Sequence, residues 1–225
     1  MDLTDVGNKR KRVNRAQIAY EAIKNSILNQ VIKPGDCLSE TSIAEKLNMS
    51  RTPVREALKM LANEDLIEIR NGVGAYVKTL SFKDILDIFE VRKNLETLAV
   101  ETSINNITIQ ELERLEEQLK ELQEEYCKGE AIDFENFNKI DIEIHRLFIS
   151  KCDNKYVKSI MEEIQLRIAA YQFISLSELG NMEESINQHL KLIELAKSGD
   201  VDELKKELAR HIEWSLNSII KRKNI

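Results

Sequence analysis

The chain has 225 residues, 42% of them hydrophobic and 32% charged, with a formal net charge of −6. That length allows one large or two modest domains, and two prolines, seven glycines and 5% aromatics argue against a β-rich fold. No apolar run approaches the roughly 20 residues of a membrane span, and residues 1–6 lack a hydrophobic signal core. Cys37, Cys127 and Cys152 are far apart and form no C-x-x-C pair, so reduced thiols in a cytoplasmic protein are expected. The charge is uneven: residues 1–80 balance at +3 and residues 81–225 at −9. The acidic total conceals a mildly basic front end, and a local basic patch is enough for nucleic-acid contact.

Lys9, Arg10, Lys11, Arg12 and Arg15 form a basic arm. Ile18, Ala22, Ile23, Ile27 and Val31 then mark an amphipathic helix over about residues 14–30. Lys33-Pro34-Gly35-Asp36 breaks it as a turn. Ser39 or Glu40 opens a short helix carrying Ile43, Ala44 and Leu47, and Asn48 suits the residue just past its end. Ser50 is placed to cap a second helix, with Pro53 in its first turn. On that helix Val54, Ala57, Leu58 and Leu61 share one face, while Arg51, Arg55 and Lys59 recur every four residues on another. Two short helices so closely joined, the second cationic from its N-terminus, form a helix-turn-helix. Two alternating runs flank Asn71-Gly72 between Leu66 and Lys78, which predicts a β-hairpin. Helix-turn-helix plus hairpin is a winged helix, with its wing tip near Asn71 and Gly72.

Residues 16–79 resemble the DNA-binding domain of the GntR family of bacterial transcription regulators. The resemblance rests on Ile32-Lys33-Pro34-Gly35-Asp36-x-Leu38, Ile43-Ala44-x-x-Leu47, Ser50-Arg51-Thr52-Pro53-Val54-Arg55-Glu56-Ala57-Leu58 and Gly72-Val73-Gly74. It implies that Arg51 and Arg55 read guanines, that Thr52 touches phosphate and that Gly72 enters the minor groove. Thr41 departs from relatives that place a DNA-contacting arginine there. Asp65 stands where a glycine is usual before the first wing strand.

The remainder reads as helices only. Ser81 caps a helix running to about residue 105, on which Ile85, Ile88, Phe89, Arg92, Leu95, Glu96 and Ala99 share a face. Thr108-x-x-Glu111 is a capping box opening a helix with Leu112, Leu115, Leu119 and Leu122. Further helices are expected over about 133–151, from Asn154 (carrying Val157, Ile160, Met161, Ile164 and Ile168), over about 181–197, and from a second box at Asp200-x-x-Glu203. The fold class is therefore mainly α: a winged helix-turn-helix domain over residues 1–79 and an all-helical bundle of about six helices over residues 80–225.

All three histidines, His145, His189 and His211, lie on or beside apolar faces in the second region, with Asp141 one turn before His145. Taken singly, each histidine reads as a hydrogen-bonded core residue. Together with an inward carboxylate, which is costly to bury unpaired, they make a plausible divalent-metal site. Residues 82–216 resemble the FCD ligand-binding domain of the FadR-like subgroup, through Val91-Arg92-x-x-Leu95-Glu96, Asp141-x-x-x-His145 and the stretch from His189 through Ala196-x-x-Gly199-Asp200 to His211. That resemblance implies a zinc or nickel ion on Asp141, His145, His189 and His211. Arg92 reads either as half of a buried pair with Glu96 or as a clamp for a small organic-acid effector. The expected function is a homodimeric, ligand-responsive repressor binding a two-fold symmetric DNA site. Two alternatives stand beside it: a regulator for which the metal is the signal, and a metal-dependent enzyme. The enzyme lacks a general base beyond the ligands and leaves the winged helix without a role.

Overall fold

The structure is a computed structural model that describes residues 14–28, 31–70, 73–79, 81–128, 134–164, 167 and 182–223. The chain forms two compact units, residues 1–79 and 80–225. The basic arm of residues 9–12, the wing-tip pair Asn71 and Gly72, and Ile168 lie outside the described residues.

In the first unit, α1 (Arg15–Leu28) packs on α3 (Arg51–Asn63), with α2 (Glu40–Lys46) between them in sequence. Val54, Ala57, Leu58 and Leu61 are all buried, as their spacing predicts. Ala19, Tyr20, Ile23 and Ile27 of α1, the helix packed on α3, are buried as well, and the Tyr20 hydroxyl donates to Glu64 at the end of α3. Two apolar assignments fail here. Val31 is 75% exposed, because it lies in a bend outside α1, where helical periodicity does not apply. Ile18 is also exposed, its inward place taken by Ala16, Ala19 and Tyr20.

Ser39 caps α2 by accepting the Ser42 amide, and Asn48 takes a left-handed φ of +51° just past its end. Ser50 sits at the N-cap of α3, but its side chain makes no capping hydrogen bond. Strands β2 (Ile67–Arg70) and β3 (Gly74–Val77) pair antiparallel, Ile67 opposite Val77 and Arg70 opposite Gly74. A strand absent from the sequence reading, β1 (Cys37–Leu38), adds to β3 and gives the sheet order β1-β3-β2. Asp65 has φ +61°, which explains why a glycine suits this place: an L residue pays a steric cost there that Asp tolerates better than most. Its carboxylate pairs with Lys78.

The second unit comprises α4 (Phe82–Ser103), α5 (Ile109–Cys127), α6 (Phe134–Lys151), α7 (155–164), α8 (Met182–Ser198) and α9 (Val201–Lys223), with no strand among its described residues. Ser81 with Asp84 and Thr108 with Glu111 form reciprocal capping boxes at the starts of α4 and α5. Gly199, φ +74°, turns α8 into α9. Helix α4 packs against α6 and α9, α5 against α6 and α8, and α8 against α9. The core is Ile85, Phe89, Leu115, Leu119, Phe137, Ile144, Phe148, Ile186, Leu192 and Leu208, among others. Each such side chain contributes about 1.5–3 kcal/mol when fully buried. Ile160 is the apolar residue of α7 that the periodicity places inward and the fold turns out, while Val157 and Met161 are buried. Set into this oily interior are six ionisable side chains, Arg92, Glu96, Asp141, His145, His189 and His211, none more than 4% exposed.

Candidate functional site

On the first unit, the cationic face of α3 is exposed. Arg55 donates through Nε to Glu40 Oε1 at 2.9 Å and through a terminal nitrogen to Glu40 Oε2 at 2.8 Å. Arg51 reaches the same Oε2 at 3.3 Å. The Arg55 hydrogen bond above all holds the Glu40 carboxyl down to about 2, outweighing the small burial penalty, with Arg51 adding to it. Thr52 is exposed beside Arg51. A groove of about 610 Å³ runs along this face and is lined by Glu40, Arg51, Arg55, Lys59 and, from the wing strand, Arg70. Arg70 pairs with Glu68 and stacks on the Tyr76 ring, its guanidinium carbon 4.6 Å from the centroid. From sequence, Glu40 is named only as a possible opener of α2, and Arg70 is not singled out. Glu40 lies 15 residues from Arg55, outside any helical period, and only the face-to-face packing of α2 and α3 brings them together.

In the second unit, the fold brings Asp141, His145, His189 and His211 together. One potential ligand atom from each lies within 4.8 Å of all the others, and all four residues are buried. Asp141 and His145 come one turn apart from α6, His189 from α8 and His211 from α9. Each ring is oriented by a partner at its far nitrogen. His145 Nδ1 lies 2.6 Å from Glu96 Oε2, His189 Nδ1 2.9 Å from the Ser185 carbonyl oxygen, and His211 Nδ1 2.8 Å from Gln188 Oε1. All three partners are acceptors, so in the neutral rings the protons sit on Nδ1 and the three Nε2 lone pairs are bare.

Those bare nitrogens converge. His145 Nε2 is 3.2 Å from His211 Nε2 and 3.5 Å from His189 Nε2, and His189 Nε2 is 3.2 Å from Asp141 Oδ1. Asp141 Oδ2 is buried with no hydrogen-bond partner. Acceptors gathered without donors repel one another, and a cation removes the conflict. Bonds of about 2.0–2.2 Å to one divalent ion would place neighbouring ligand atoms about 3 Å apart, close to the 3.2 Å of the nearest pairs. The donor set therefore fits a divalent ion. Burial drives the His189 imidazole down to about 4, against the pull of the Asp141 charge, and burial followed by the neighbouring His189 and His145 drives His211 well below the usual range. Both rings are thus held neutral, the form that binds metal.

Arg92 adjoins this cluster through Glu96. Arg92 Nε donates to Glu96 Oε1 at 2.7 Å, and both side chains are 1% exposed. Burial alone would raise the Glu96 carboxyl; its contacts with His145 and with the Arg92 guanidinium reverse this and bring it down to about 2. Arg92 also lies over the Phe89 ring, and one of its terminal nitrogens, NH1, is buried without a hydrogen-bond partner. The sequence showed Glu96 as a partner for Arg92 but not for His145; two inward charged residues on facing helices were the available signal. Likewise, Ser185 at four residues before His189 is the spacing at which a helical side chain reaches back to a carbonyl.

Residues 15–77 match the family described as bacterial regulatory proteins, gntR family, and residues 87–213 match the FCD domain. This chain belongs to the GntR family. Its FCD architecture is that of the FadR-like members, and it is a DNA-binding transcription regulator rather than an enzyme. Among GntR relatives, the gluconate operon transcriptional repressor of Bacillus subtilis (strain 168) is 32% identical over 178 residues, covering 79% of this chain and 70% of that one. The HTH-type transcriptional repressor RspR of Escherichia coli (strain K12) is 25% identical over 203 residues, 90% of this chain and 88% of its own. The solved structure of E. coli McbR/YncC superimposes with a TM-score of 0.80 at 22% identity, covering 94% of this chain and 99% of that one. A GntR transcriptional regulator from Rhodococcus sp. RHA1 follows at 0.76 and 17% identity, covering 92% and 98%. Both structures share the fold. Among the described residues, no helix is long and apolar enough to cross a membrane.

Proposed function

We propose that this GntR regulator is a cytoplasmic, homodimeric repressor whose second unit holds a divalent ion, zinc or nickel, and responds to a small carboxylate. The observation that carries the reading is the convergence of three Nε2 lone pairs with an unpartnered Asp141 oxygen in a buried core. Asp141, His145, His189 and His211 would hold the ion. When bound, it would supply positive charge and open coordination positions for an anionic oxygen.

Arg92 supports the effector class. Its Nε is committed to Glu96, yet its buried NH1 lacks a partner. A carboxylate oxygen is the natural acceptor for an isolated guanidinium N–H. The two readings of Arg92 offered by the sequence are therefore compatible: one edge of the guanidinium makes the ion pair and another faces an anion. The B. subtilis relative is named for the gluconate operon, and gluconate is a small carboxylate.

On the DNA side, Arg51 and Arg55 would read guanines, Thr52 would meet phosphate, and the wing tip at Asn71 and Gly72 would approach the minor groove. One short reading helix buries too little for tight specific binding, so two copies on a two-fold symmetric site are expected. The readers belong to one unit and the metal cluster to the other. An effector then acts by favouring one state of the protein over another, through its differential affinity for the two.

The test is a melting series of the full chain with zinc, nickel and no metal, followed by a panel of carboxylates and sugar acids on the loaded protein. Zinc or nickel should raise the melting temperature of wild type and not of His145→Ala, His189→Ala or His211→Ala. Unchanged melting of wild type with either ion would refute the metal centre. Release from DNA by metal alone, with no carboxylate active, would make the metal the signal.

A further inference from the structure

The three candidate metal-binding histidines are not held alike. His189 is oriented by a backbone carbonyl and His211 by a side-chain amide, both neutral acceptors. His145 alone is oriented by a carboxylate, at 2.6 Å. It is also the hub of the cluster, since its Nε2 lies within 3.5 Å of the Nε2 of both other rings. The carboxylate that orients it is divided without overlap: Oε2 takes His145 and Oε1 takes Arg92 Nε. Arg92 and Glu96 lie one turn apart on α4 and His145 on α6, so a continuous buried chain of hydrogen bonds joins the two helices.

We propose that Glu96 is a positioning residue for the metal centre, fixing His145 in the Nε2-presenting tautomer and linking that ligand to Arg92, so that the Arg92–Glu96–His145 chain sets metal affinity. The inference rests on the metal reading above. A charged acceptor at Nδ1 makes the opposite nitrogen a stronger donor, and it prevents the ring from presenting Nδ1–H and a misplaced lone pair. An ion pair that merely filled the core would need only Arg92 and Glu96; it would have no use for the third member. Arg92 Nε holds the other oxygen of Glu96 and so aims the carboxylate at His145. The chain also gives an anion at the unpartnered NH1 of Arg92 a physical route to a metal ligand.

The experiment uses the full chain and zinc alone as probe. Zinc affinity is measured by competition with a chromophoric chelator, and the His145 tautomer by imidazole ¹⁵N NMR, in wild type, Glu96→Gln and Arg92→Lys. Loss of a partner of this kind costs about 10–100-fold in metal affinity. Glu96→Gln should show that loss and a mixed His145 tautomer, with the metal-free melting curve as the control for folding. Arg92→Lys keeps the cation but not the aligned Nε–H, and should show a smaller loss in the same direction. Zinc affinity within twofold of wild type together with an unchanged tautomer in Glu96→Gln overturns the proposal. If that variant does not fold, Arg92→Lys decides on the same two readings. Wild type that binds neither zinc nor nickel would end the metal reading separately; the tautomer in metal-free Glu96→Gln would then still uphold or reject the hold of Glu96 on His145.

Discussion

Glu40 and Glu96 each hold two basic groups, and their surroundings give them opposite characters. Glu40 bridges Arg51 and Arg55 at the surface of the first unit, where the arginine side chains are 61% and 54% exposed. Glu96 bridges Arg92 and His145 in the core of the second, where Arg92 and Glu96 are 1% exposed. Both carboxyls are drawn down to about 2, Glu40 chiefly by the Arg55 hydrogen bond, Glu96 against a large burial penalty by its contacts with His145 and Arg92. In water the bridge is cheap to open, so Glu40 suits side chains that must let go and take a new partner. In the core an opened bridge strands a charge, so Glu96 suits side chains that must not move. The same three-group motif serves as a latch in one place and as a strut in the other.

Removing the cation of the strut gives the largest expected effect. Arg92→Ala leaves Glu96 without its guanidinium in a buried core and should destabilise the protein by about 3–5 kcal/mol in a denaturant titration of the metal-free form. A loss below about 1 kcal/mol would show that the two bridges are alike after all.

Acid should act on the buried cluster next. His189 is held down to about 4 in the folded state, chiefly by burial, against an ordinary value near 6.5. Between those values the unfolded chain binds a proton that the folded chain refuses. Stability is therefore complete above about pH 6.5 and falls as the pH drops toward 4, by roughly 3 kcal/mol from this residue. His211 shifts in the same direction and adds to the loss. A flat melting temperature across that window in the metal-free protein would contradict it.

On the exposed side, Arg55→Ala should cost about 1–3 kcal/mol of binding to the operator and relax preference at a single base pair, with folding stability nearly unchanged. Equal losses on operator and random DNA would make Arg55 a phosphate contact instead. The smallest effect belongs to the latch itself. Glu40→Gln should change folding stability by less than about 0.5 kcal/mol while raising affinity for random DNA several-fold, as freed arginines meet phosphate more readily. Gel shifts on operator and random duplexes, at one salt concentration, measure both.

Much of this was legible in the sequence where the signal is local. The inward set on α3, the capping boxes at Ser81 and Thr108 and the leucine row of α5 all follow from helical spacing. The four candidate ligands are legible for a related reason: His145 and Asp141 share a helix face, and polar residues on apolar faces are conspicuous. What the sequence concealed is pairing at a distance. Glu96 and His145 are 49 residues apart, and no period connects them. Strand β1 has two residues, too few for an alternation to register, and exists through its pairing with Tyr76 and Ala75. Val31 and Ile160 failed because periodicity cannot tell where a helix ends or which flank of a stripe finds a neighbour.

The Glu40 bridge also bears on how DNA binding responds to ionic strength. Protein–DNA association normally expels cations from the phosphates, and affinity falls steeply with added salt. A carboxylate freed at the groove as Arg51 and Arg55 turn to the duplex would face phosphate with its charge exposed, and would gather a sodium ion or a proton in return. Uptake at Glu40 opposes release from the DNA. The logarithmic salt slope should then be shallower than the count of Lys and Arg contacts indicates, and specific binding should survive a rise in cellular ionic strength better than a purely cationic surface would allow.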